Sequence, residues 1–183
     1  MTKHDIVKAL DCLYPSIVLL HDFLTVYGTL KQAIKEHPEK LMIANGFFST
    51  AREALLRGIF IEASKLYDKS AYSIPQILNL CYKWIPESRD DARELRKELK
   101  KLNPQIDNLR EQRNKYYAHR DKNDFNDLPA VLSDYPISLL EIFDLAKFAA
   151  ITFNRMHIHL DCKTYLWMHT DTHDLPKLLE RIT

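Results

Sequence analysis

Residues 137–159 read ISLLEIFDLAKFAAITFNRMHIH. This stretch contains neither glycine nor proline, and apolar side chains fill most of it. Its polar residues Glu141, Asp144, Lys147, Thr152 and Arg155 return at helical spacing and form one stripe. The pattern predicts a long helix from Ile137 to about His159 with most of its surface buried. A helix of that kind must be covered by other elements, and the rest of the chain offers only helices to cover it.

Towards the N-terminus the same periodicity recurs. An opening helix is expected up to about Tyr14, and a second from Pro15 to about Lys35. A long helix is expected from about Glu39 to Lys65, with Leu41, Phe48, Ala51, Leu55, Ile59 and Leu66 on one side. Shorter helices are expected over Ile74–Trp84, over the charged run from Glu87 to Lys101, and from Pro104 to about His119. A tail helix is expected over about Leu175–Ile182. Pro38, Pro75, Pro86, Pro104, Pro136 and Pro176 each stand just ahead of a helical pattern, where a missing N–H does least harm. Asn103 and Ser73 look like N-caps. No convincing period-2 pattern appears. The expected fold is all-α: an antiparallel helical bundle with short connections, formed by residues 1–183 as one domain, with a C-terminal tail from about residue 160.

Composition agrees. Apolar residues make up 46% of the 183 and charged residues 28%, and there are three glycines. The formal net charge is +1, which excludes a surface coated in cations but not a local basic site. Cys12, Cys81 and Cys162 are scattered and odd in number, which suits reduced thiols in a cytoplasmic protein. The first residues carry no secretion signal, and charges interrupt the two most apolar stretches, so no membrane span is expected.

The chemistry concentrates in LREQRNKYYAHRDKND, residues 109–124. Arg110, Arg113, Lys115, His119, Arg120 and Lys122 put six cationic or titratable groups within thirteen positions, interleaved with Tyr116 and Tyr117. Such a mixture suits RNA phosphates and bases. It equally suits a solvated helix end, and residue types alone do not decide.

The spacing R-N-x-x-x-x-H from Arg113 to His119 resembles the Rx4-6H signature of the HEPN superfamily. The HRD at 119–121, the SKLYD at 64–68 and the SIPQILNL at 73–80 look like its abortive-infection AbiU branch. The resemblance covers roughly residues 15–160. It implies a metal-independent endoribonuclease without cofactor, a toxin or antiphage effector. In such enzymes the RNA 2′-hydroxyl attacks its own phosphate and leaves a 2′,3′-cyclic phosphate. The resemblance assigns catalysis to Arg113, Asn114 and His119. Imidazole can take and give a proton near neutral pH, and guanidinium can offset charge on the phosphorane. Lys115, Tyr116, Arg120 and Asp121 are candidates for substrate contact. Where some HEPN toxins carry a Tyr modified by a partner enzyme, this chain has Asp121.

Six residues along an α-helix amount to about 9 Å of rise and about 120° of rotation. Arg113 and His119 therefore do not share a face of a straight helix. Either the helix is distorted near Ala118, or two chains combine their motifs in a homodimer with a composite cleft, as the resemblance implies. The expected partners are RNA, a second copy of the chain and, as a candidate, an antitoxin. The other reading is a catalytically idle HEPN-like module that binds RNA or nucleotide, or serves dimerisation.

Other groupings carry less. His157, His159, Asp161, Cys162, His169 and His173 cluster loosely, but no second ligand pair completes a metal site, and none is expected. Asp68 matches a family feature or merely caps a helix. Arg52, Glu53 and Glu62 either pair internally or face the site. The run 87–101 reads as a solvated face with both signs interspersed and i, i+4 pairs, and its basic end, Arg96 to Lys101, is a candidate flank of an RNA path.

Overall fold

The computed structural model describes residues 2–69, 72–118 and 133–160 and the single positions 174 and 177; at 116–118 it describes the backbone alone. Seven α-helices appear there: α1 (Lys3–Glu36), α2 (Pro38–Met42), α3 (Asn45–Tyr67), α4 (Ile74–Trp84), α5 (Arg89–Lys101), α6 (Asn103–Gln112) and α7 (Leu139–His159). A 3₁₀ turn at Pro86–Ser88 leads into α5, and a π-helical segment, Arg113–Ala118, follows α6. No strand occurs among the described residues. The fold is all-α, as expected. The expected tail helix and His-rich tail fall largely outside the described residues.

The first two expected helices are one. α1 runs through Pro15. A proline in a helix interior costs about 3 kcal/mol, because a hydrogen bond is lost and the ring crowds the preceding turn. The opposing term is larger. Ile6, Leu10, Leu13, Ile17 and Leu20 keep one helical register across the proline, all 0–2% exposed. Burying five such side chains contributes on the order of 10 kcal/mol before entropy is subtracted. α1 packs chiefly on α3 and also on α7 and α4. By length and composition alone it could cross a membrane, a property shared by core helices of soluble proteins.

The expected helix from Glu39 to Lys65 is two. The chain leaves helical geometry at Ala44, just ahead of Asn45 and Gly46, which are poor helix formers. The bend lets Leu41 and Phe48 close a small second core with Leu30 and Ala33. The caps also differ. Asn103 is the first residue of α6, not its cap; the cap position is Leu102, which stays αR and joins α5 to α6 without an extended residue. Ser73 does hold the cap position of α4, but without a side-chain cap bond. α7 starts with a capping box, Ser138 and Glu141 bonding each other's backbone N–H.

α7 buries its apolar face against α1, α3 and α4. Its expected polar stripe is corrected at Thr152, which is 0% exposed. The outward face carries Leu140, Phe143, Ile151 and Ile158 beside Asp144 and Lys147.

Candidate functional site

The site begins where α3 ends. Tyr67 is fully buried, and its hydroxyl donates to the Leu145 carbonyl of α7 at 2.6 Å. Burial pushes the pKa of that hydroxyl up, so it remains a neutral donor. This bond pins the end of α3. The next residue, Asp68, turns extended, with φ −65° and ψ 167°.

Asp68 meets Arg113. One guanidinium nitrogen of Arg113 donates to both carboxylate oxygens at 3.0 Å. The side chains are 25% and 32% exposed, so the pair is partly shielded from water but still accessible. Arg113 Nε is buried and has no hydrogen-bond partner among the described residues. Arg110 donates to the Tyr67 carbonyl and pairs with Asp107. Two consecutive residues of the α3 terminus therefore anchor two arginines of the motif helix.

An open cleft of about 570 Å³ lies beside this anchor, lined by Asp68, Lys69, Asp107, Arg110, Glu111 and Asn114. Positions 107, 110, 111 and 114 follow the i, i+3, i+4, i+7 rule, a polar stripe readable in the sequence. Sequence reasoning singled out Asn114, counted Arg110 among the cations of the segment, and overlooked Asp107 and Glu111. The described lining has Lys69 and Arg110 against Asp68, Asp107 and Glu111, so its charges nearly balance.

The backbone changes form at the motif. From Arg113 the chain is π-helical, with i→i+5 bonding. The helix is thus distorted from the motif arginine through Ala118, which includes the place where the sequence set a distortion as one of its alternatives. Lys115 turns to Tyr135, just ahead of α7. Its ammonium stands 4.4 Å from the centre of the Tyr135 ring and bonds the Tyr135 hydroxyl at 3.3 Å. Gln112 and Asn108 hold the Tyr135 and Pro136 carbonyls at 2.6 and 2.7 Å, so three residues of one helix fasten that strand of chain. Asn114 thus lines the cleft, Arg113 is held on its Asp68 wall, and Lys115 is bound to Tyr135. The Tyr116 side chain and all of His119, Arg120 and Asp121 lie outside the described residues.

The other candidates have structural partners. Glu62 is buried in α3 and pairs with Lys65 at 2.6 Å. His157 is 1% exposed, stacks on Phe153 and faces Asp11 at 3.7 Å. His159 bonds Asp91 at 2.8 Å. Among the described residues no three His, Cys, Asp or Glu side chains gather to hold a metal.

A family model for AbiU2 HEPN domains matches residues 3–182. The chain belongs to the AbiU2 family of HEPN domains. Membership carries a nuclease- or abortive-infection-related role at the level of the family. No curated protein and no solved structure matches the chain.

Proposed function

We propose that this HEPN domain is a metal-independent endoribonuclease and acts as a toxin or antiphage effector. The observation that carries the reading is the Asp68–Arg113 pair. A carboxylate 45 positions away in sequence holds the motif arginine at an open cleft, where the helix turns π-helical. π-helical turns collect at functional sites because they redirect side chains. In the proposed reaction His119 withdraws the 2′-hydroxyl proton. The 2′-oxygen attacks the adjacent phosphorus, the P–O5′ bond breaks, and the protonated His119 imidazole gives its proton to the 5′-oxygen. The products are a 2′,3′-cyclic phosphate and a 5′-hydroxyl. Arg113 offsets charge on the phosphorane, and Asn114 orients phosphate or imidazole. The nucleophile comes with the substrate, so the scheme needs no metal. Lys115, Tyr116, Arg120 and Asp121 are proposed to contact substrate.

A homodimer is part of the proposal, with two motif segments facing one composite cleft in the cytoplasm. A lone cleft with balanced charge attracts RNA weakly; pairing would bring two sets of motif cations together. The same balance, and the neutralisation of Arg113 by Asp68, favour the alternative of an idle RNA- or nucleotide-binding or dimerisation module. Incubating wild type and His119→Ala with RNA in chelator separates the two readings. Cyclic-phosphate ends produced by wild type alone support the nuclease. Intact RNA with both proteins, under conditions where both bind it, sinks the nuclease and leaves the module.

A further inference from the structure

The charged helix α5 is more ordered than its sequence suggests. In the order RDDARELRKELKK the two signs alternate, but a helix turns about 100° per residue. On that wheel Arg89, Arg93, Arg96, Lys97 and Lys100 share one arc of about 100°. Asp90, Asp91, Glu94 and Glu98 share the next, and Ala92, Leu95 and Leu99 the third. The structure uses the three arcs differently. The apolar arc is buried. The acidic arc meets α7, with Glu94 near Arg155 and Asp91 on His159. The expected i, i+4 pairing within the helix is replaced by these contacts and by one i, i+3 pair, Arg93 with Asp90.

The cationic arc gathers around Tyr82 of α4. The Arg96 and Arg93 guanidiniums stand 5.2 and 5.9 Å from the centre of its ring, and Arg89 donates to its carbonyl at 3.3 Å. Tyr82, Arg93, Arg96, Lys97 and Lys100 line a concavity of about 210 Å³. Arg96, Lys97 and Lys100 make no ion pair with a described residue. In a chain of net charge +1, three uncompensated cations in one hollow are a local concentration of charge. The ring keeps a flexible guanidinium in place, which reduces the entropy lost on binding an anion.

We propose that this α4–α5 hollow is a second binding site, for the phosphodiester backbone of the RNA that the motif site cuts. The proposal rests on the ribonuclease reading for the identity of its ligand. α6, about 15 Å long, separates Lys100 from Arg113, so an RNA must be several nucleotides long to occupy both places. The hollow thereby makes the protein favour chains over short fragments.

The test uses the whole protein and the triple variant Arg96→Gln/Lys97→Gln/Lys100→Gln. All three positions lie on the outer face of α5, and circular dichroism with a thermal melt checks that the variant folds. The binding probe is a fluorescent 20-nucleotide 2′-O-methyl RNA, which has no nucleophile and stays intact. The variant is expected to bind it at least tenfold more weakly near 0.1 M salt. The slope of log Kd against log salt should fall by about two, since each lost phosphate contact removes about 0.7. Cleavage of an unmodified dinucleotide should change less than twofold. Equal affinity and equal slope for the two proteins, or no binding by wild type, overturns the second site. So does an equal loss for adenosine monophosphate, which would make the hollow a nucleotide site. Weaker binding of the long probe by the variant than by wild type, with no cleavage of any RNA by either, keeps this site and removes the nuclease. Dinucleotide cleavage with unaltered long-probe binding does the reverse.

Discussion

Asp68–Arg113 and Asp11–His157 both set an aspartate against a nitrogen base from a distant part of the chain, yet they suit opposite purposes. Arg113 is permanently charged, a quarter exposed, and doubly bonded at 3.0 Å beside a cleft. His157 is buried, stacked on Phe153, and 3.7 Å from its carboxylate. Burial pushes the imidazole pKa below its ordinary value of 6.5, and the nearby Asp11 only partly counters this. The first pair keeps a fixed guanidinium, balanced by its carboxylate, within reach of solvent; the second hides a mostly neutral ring in the core. A carboxylate next to a base is therefore not evidence of chemistry by itself. Access to water and a fixed charge decide.

The largest effect expected is on the first pair. Arg113→Ala should lower RNA cleavage by on the order of 10²- to 10³-fold while the protein stays folded, measured as single-turnover rates. Asp68→Ala should lower it about 10- to 100-fold, because the guanidinium loses its fixed position, at about 1 kcal/mol of stability for a partly exposed pair. Asp68→Asn should fall between Ala and wild type. Unchanged rates in both Asp68 variants would reduce the pair to a helix-end brace.

The second pair should appear in stability rather than rate. The folded pKa of His157 lies below the unfolded one, so the unfolded state binds more protons and stability rises with pH. Melting temperature should drop as pH falls from about 7 through 6.5 toward the lower folded value, and His157→Gln should flatten that part of the curve. A slope identical to wild type would show that the ring is not neutral in the core. Ser138→Ala removes one capping bond of α7 and should cost about 1 kcal/mol in a denaturant titration. Lys115→Met should cost about 1 kcal/mol, since it removes an ammonium over the Tyr135 ring together with its bond to the Tyr135 hydroxyl.

The helix content was legible in residues 137–159, because a helix buried on one side must repeat near every 3.6 residues. Arg113 and Asn114 were singled out through the family resemblance of the 113–119 spacing, and the structure sets Arg113 on Asp68 and Asn114 in the cleft lining. Asp68 was visible as a residue but not as the partner of Arg113, since nothing local links positions 45 apart. Arg110, Asp107 and Glu111 did leave a signal, the polar stripe on α6, which the count of cations obscured.

The amino-acid sequence alone determined that the chain is helical, where most helices begin, and which segment carries the titratable groups. These are short-range properties of propensity, periodicity and spacing. Tertiary structure decided the course of α1 through Pro15 and the seat of Arg113 on Asp68. In each, contacts between residues far apart in the chain outweigh the local preference: burial of about five core side chains exceeds one proline's penalty, and a carboxylate from α3 selects one arginine among several.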